Sequence, residues 1–291
     1  MKYIRRELFL EVACLNKFYQ FYFVVRLRNY IQSHPVTTYF LTTFLISWSG
    51  SFILVAPKLL RHQPIEKMEG LLLFPVMLIG PPAASIILTA SLNGKQGLRS
   101  LLSRVVKWNV PVKWFLLALF LPPCLMMLVL WFLKKSVSGA FSPNFFPLGF
   151  LFAVPAGFLE EIGWTGFALS NLLMGKKSRY AGVIVGGLWG LWHLPVIDFL
   201  GSASPHGKYL LVFFLSFVVL LTAMRILMTR VYVHTHSIFI VQLMHLVFTG
   251  SLVMIGPSNT SPAQETLWYA VYAGVLALFA AATLSFSVRA D

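Results

Sequence analysis

Phe158-Leu159-Glu160-Glu161-Ile162-Gly163-Trp164-Thr165-Gly166-Phe167 sets two adjacent carboxylates in the middle of an apolar run reaching from about Phe146 to Leu173. The chain has nine acidic residues in 291. Glu7, Glu11, Glu66, Glu69, Glu265 and Asp291 fall in loops or near the termini, and Asp198 ends an apolar segment, so only Glu160 and Glu161 sit deep inside one. A charged side chain at the centre of a bilayer costs about 3 kcal/mol even on the forgiving insertion scales, so an intramembrane pair reads as a functional site whose partners must be found.

Composition makes the membrane explicit. Hydrophobic residues are 58% of the chain and charged ones 11%, against about 25% charged in an ordinary soluble domain, and the mean hydropathy is +0.77. Apolar runs long enough to cross a hydrocarbon core of about 30 Å recur along nearly the whole chain. The expected fold is all-α and polytopic, with about eight spans near 37–57, 71–91, 113–133, 146–173, 181–200, 209–229, 237–254 and 266–287 and a buried polar site in the core. Gly80-Pro81-Pro82 predicts a kink or local break in the second span. The net charge of +14 does not indicate nucleic acid, because the basic residues flank apolar segments instead of forming one stripe. Cys14 and Cys124 provide neither a disulfide framework nor zinc-ligand spacing.

Residues 1–34 form a basic, aromatic N-terminal arm, which leaves two readings open: an interfacial helix on the membrane surface or an extension without fixed order. Residues 35–291 read as one transmembrane domain with its catalytic-type core at 145–250. Alternation of eight spans places 17 of the 23 Lys and Arg residues on the side of both termini and 6 on the other. The positive-inside rule then puts both termini in the cytoplasm of a multi-pass cell-membrane protein.

Of the seven histidines, His34, His62, His206, His234 and His236 fall at span ends or in loops, where solvation is the ordinary explanation. His193 and His245 lie inside the fifth and seventh spans, at depths of about 18 and 12 Å by the helical rise, and Glu160 lies about 21 Å along the fourth. One intramembrane histidine is as readily an interhelical hydrogen-bond donor. Two carboxylates and two histidines at matching depth on three helices form a convergent site. Neighbouring carboxylates titrate as a coupled pair, one can serve as general base with a histidine holding the same water, and the second histidine can donate to an oxyanion. Adjacent helical residues point about 100° apart, so one carboxylate faces the water and the other a neighbouring helix. Gly182, Gly186 and Gly190 make a small-residue ridge that permits close helix approach near Trp189 and His193.

The motifs Glu160-Glu161-Ile-Gly-Trp-Thr-Gly-Phe, Trp189-Gly-Leu-Trp-His193-Leu-Pro and Gln242-Leu-Met-His245-Leu-Val-Phe-Thr249 resemble those of the CAAX protease and bacteriocin-processing family, also called Abi proteins, to which the Ras-converting CAAX prenyl endopeptidase is related. The resemblance implies an intramembrane glutamate protease that needs no cofactor or metal and acts on a peptide or membrane-protein segment at the lipid bilayer. It makes Glu160 the general base with His193, His245 an oxyanion donor, and Glu161 a support, with Trp189, Thr165 and Thr249 around them. The chain departs from the family pattern twice. Thr165 stands where an arginine usually follows the second glutamate, removing a cation that could hold Glu161 ionised. Thr249 stands where asparagine usually follows the histidine. Two other readings remain open: a zinc-dependent membrane protease using the same Glu/His cluster, although no His-Glu-x-x-His is present, and a non-catalytic membrane scaffold or immunity protein.

Overall fold

The computed structural model describes residues 22, 25–26, 28–63, 67–197 and 206–287. Among them no strand occurs, and eight helical segments follow one another. These are α1 (Pro35–Leu60), α2 (Lys67–Val105), α3 (Val112–Ser136), α4 (Phe150–Gly163), α5 (Ser178–Trp192), α6 (Leu210–Thr235), α7 (Ile238–Ile255) and α8 (Pro262–Ser287). Helix α4 continues through a π turn, Trp164–Leu169, into a last turn at Ser170–Leu172. Six of the helices are long and apolar enough to cross a membrane; the exceptions are α4, interrupted by its π turn, and the 15-residue α5. Leu45, Leu60, Leu211 and Leu278 are each more than half exposed on the outside of this bundle, as a lipid-facing surface requires. The chain is a multi-pass membrane protein.

Three expectations change in detail. Helix α2 keeps helical backbone angles through Gly80-Pro81-Pro82, and its break lies instead at Gly94, with φ +57° and ψ −150°, a conformation open to glycine. The expected loop from residue 92 is therefore helical again up to Val105. Pro81 has no N–H for the Met77 carbonyl one turn back, and the Ser47 hydroxyl of α1 donates to that oxygen at 2.7 Å, so the neighbouring helix satisfies what the proline leaves open. Helix α5 stops at Trp192 instead of reaching residue 200, because Pro195 disfavours helical geometry in the residue before it and lacks a donor of its own. The Trp48 indole of α1 donates to the Trp192 carbonyl freed at that end, at 3.0 Å. Of the N-terminal arm, residues 28–33 are helical and lead into α1, while the rest of that reading lies mostly outside the described residues, as does Asp198.

Two close approaches position the site. Helix α4 packs on α7 and α5 on α6. A Cβ at Gly157 would stand 2.7 Å from the backbone nitrogen of Leu246, and one at Gly186 would stand 2.6 Å from the Cα of Thr222. Backbone lies opposite each glycine, so no side chain can yield. Gly187, next along α5, faces open space. Gly186→Ala should therefore cost about 1–3 kcal/mol through overpacking, whereas Gly187→Ala should leave stability unchanged or slightly raised. Thermal unfolding of the detergent-solubilised variants measures the contrast, and equal behaviour of the two would refute backbone contact at Gly186.

Candidate active site

Glu160 and Glu161 occupy the last turn of α4 before the π turn and are 2% and 0% exposed. The 100° between adjacent helical residues sends them to different neighbours. Glu160 lines a cavity of about 440 Å³, together with Trp189, His193, His245, Thr249 and Phe248. Its Oε2 accepts from the indole N–H of Trp164 at 3.0 Å and of Trp189 at 2.7 Å. Two neutral donors thus hold one oxygen and orient the carboxylate.

Glu161 is turned away from the cavity lining. Arg225 of α6 meets it in a two-pronged pair, Nη1 to Oε2 and Nη2 to Oε1, both at 2.7 Å and both side chains fully buried. The Thr165 hydroxyl donates to Oε2 as well, and the Nδ1 of His245 lies 2.8 Å from Oε1. All acceptor capacity of Glu161 is occupied by protein. The arginine absent at position 165 is thus supplied by another helix, and Thr165 joins the pair instead of leaving it uncompensated. The alternation of spans takes Arg225 with the basic residues at the end of the sixth span, yet it sits well inside α6 in the run Leu220-Leu-Thr-Ala-Met-Arg225-Ile-Leu-Met. Its position inside an apolar helix was the available signal, since an intramembrane charge demands a partner.

Trp189 joins the two halves. Its N–H serves Glu160, its ring lies 4.5 Å from the Arg225 guanidinium carbon, and its carbonyl lies 2.9 Å from Nδ1 of His193. A carbonyl only accepts, so Nδ1 of His193 carries the proton and a neutral His193 offers its Nε2 lone pair to the cavity. A carboxylate paired with arginine likewise only accepts, so Nδ1–H of His245 donates to Glu161 and Nε2 is the ring nitrogen left for the cavity. Thr249, one turn beyond His245 on α7, lines the same space. Helices four, five and seven therefore converge on one cavity.

The wall behind the carboxylates comes from α2. Ser85 donates to the Ile162 carbonyl at 2.8 Å, and Arg104 donates to the Gly166 carbonyl, Ser170 and Tyr232 at 3.1, 2.7 and 2.6 Å. These side chains serve the polar groups flanking the π turn, an irregularity frequent at functional sites. Two residues expected in loops are also buried: His206 is stacked 3.6 Å from Phe213, and its Nε2 lies 3.5 Å from Glu265, which lines the cavity in the first turn of α8. Among the described residues no group of three His, Cys, Asp or Glu side chains is placed to hold a metal ion.

Residues 142–251 match the family profile described as Type II CAAX prenyl endopeptidase Rce1-like. This segment is similar to an Rce1-type core. The matched segment begins just before α4 and ends within α7, so it contains the three helices that bring Glu160, His193 and His245 together, and α6 with Arg225 between them. The CAAX prenyl protease 2 of Methanococcus maripaludis is 42% identical over 62 residues, 20% of this chain and 21% of that protein. The chain thus aligns with about a fifth of that relative's length.

Removing one partner of a buried ion pair leaves an uncompensated charge, at a cost of about 3–5 kcal/mol. Arg225→Met in this Rce1-like core should lower stability by that order. Adding Glu161→Gln to it should restore most of the loss, because the amide oxygen still accepts from His245 and the amide NH2 can donate to the Thr165 hydroxyl. Thermal unfolding of the single and double variants checks this; equal stability of the two would mean that the pair carries no buried charge.

Proposed function

We propose that the chain is a membrane-embedded, metal-independent endopeptidase in which Glu160 and His193 activate water, as the Rce1-type likeness suggests. The observation that carries the reading is the gathering of Glu160, His193 and His245 around one cavity, each with its far side held by protein. Water sits between the free oxygen of Glu160 and Nε2 of His193. Glu160 takes the proton as the water oxygen attacks the scissile carbonyl carbon. The oxyanion of the tetrahedral intermediate accepts from Nε2–H of His245 and the Thr249 hydroxyl. Because its Nδ1–H is committed, His245 donates from Nε2 only when it carries both protons, and Glu161 is the countercharge beside it. The protonated Glu160 then delivers its proton to the leaving amine as the C–N bond breaks. Glu161 is the positioning group and touches no reacting atom. Arg225 stands in for the cation that the first motif lacks at Thr165, which favours an active site over a degenerate scaffold.

Glu160→Gln keeps an acceptor for the two indoles but removes the base. Purified Glu160→Gln and His193→Ala proteins should lose about 10² to 10⁴ in kcat/KM on an internally quenched peptide, with thermal unfolding near that of the parent and no effect of a zinc chelator on the parent. Full turnover by either variant would end this mechanism, and chelator-sensitive turnover accompanied by bound zinc would favour the metal reading.

The cavity mouth involves the segment before α4 and the α7–α8 loop, through Asn144, Phe146, Pro257 and Ser258, while the basic segment around Lys176 and Lys177 lies at the opposite end of α4. With the basic loops cytoplasmic, the mouth faces the other side of the membrane. In a cysteine-free background, Ser258→Cys should react with an impermeant thiol reagent applied to intact cells and Lys176→Cys only after lysis; the reverse pattern would invert the topology.

A further inference from the structure

The charged lining of the cavity has the opposite sign from the chain. The protein carries 23 Lys and Arg against 9 Asp and Glu. Among the described residues the cavity wall nevertheless holds two carboxylates, Glu160 and Glu265, and no Lys or Arg. Residues 198–205, outside the described ones, contain no Lys or Arg in their sequence.

Glu265 has an ordinary explanation as an acidic residue in the first turn of α8, where the helix dipole favours it. That explanation accounts for neither its burial, with its side chain 9% exposed, nor its place in the cavity wall. Its Oε2 is directed to His206. Beside it stand Trp268 and Tyr269, packed edge to face at 4.6 Å, and both line the cavity. Aromatic faces next to a carboxylate attract a cation. Trp268 adds an independent observation: it is 3% exposed, and its indole N–H is buried without an acceptor among the described residues. A buried donor of this kind is expensive to leave unmet, and a peptide carbonyl entering the cavity would satisfy it.

Resting on the peptidase reading above, we infer that the cavity takes a peptide segment bearing a Lys or Arg side chain, recognised by Glu265 and the Trp268–Tyr269 wall. The backbone N–H of Phe146 bonds the Met254 carbonyl at 2.9 Å, which ties the start of α4 to the end of α7.

The test uses Glu160→Gln protein in nanodiscs and fluorescent C-terminally amidated apolar peptides that differ at one position: Lys, norleucine or Glu. The Lys peptide should bind at least tenfold tighter than the norleucine peptide, and the Glu peptide more weakly than norleucine. Adding Glu265→Gln should reduce the Lys advantage to less than threefold. Should Glu265→Gln fail to fold, the ranking of the three peptides on the Glu265 protein still decides the matter. Equal affinity for Lys and norleucine, a Lys advantage that survives Glu265→Gln, or binding of none of the peptides would overturn the inference. Cleavage of the same peptides by the parent protein separates the two claims: charge-selective binding without cleavage defeats the peptidase reading alone, and cleavage indifferent to Lys defeats this inference alone.

Discussion

The buried pair between Glu161 and Arg225 is the constraint around which the polar core is organised. Two full charges with no exposed surface are tolerable only when geometry and hydrogen bonding are nearly complete, and here the guanidinium fork, Thr165 and His245 occupy the carboxylate on every side. The pair crosses from α4 to α6 and reaches α7 through His245. Satisfying one acid therefore fixes the mutual placement of three helices. Trp189 extends the network to α5 by stacking on Arg225 while donating to Glu160.

Against that rigid half stands Glu160. Among the described residues it is held through one oxygen only, His193 through one ring nitrogen, and His245 likewise. Each keeps one polar atom for the cavity. Pre-organised groups of this kind need no reorganisation when a substrate arrives, which is the arrangement electrostatic catalysis demands. The glycine contacts and the π turn serve the same end. Gly157 and Gly186 let backbones approach closely enough for short side chains to meet, and α2 satisfies the carbonyls around the irregular turn with Ser85 and Arg104.

Much of this was legible in the order of residues. The penalty for burying charge in lipid singles out Glu160 and Glu161, and helical rise sets His193 and His245 at comparable depth. What misled was position relative to span ends. Charge alternation takes Arg225 with the basic residues at a span end, although α6 extends ten residues past it to Thr235. His206 and Glu265 lie near helix ends, where solvation is the default, and yet both are buried because the α8 helix and the aromatic side chains close over them. Pro195 ended α5 early and left His193 at the helix terminus.

The sequence alone determined that this is an all-α membrane protein and which acids could not be explained by lipid or water, because hydrophobic run length and the cost of a buried charge are local properties of the chain. Only the tertiary structure decided which carboxylate faces the cavity and which is neutralised. The partner that makes the difference, Arg225, is 64 residues from Glu161, and a contact across helices is written in their packing and not in the spacing of residues along either one.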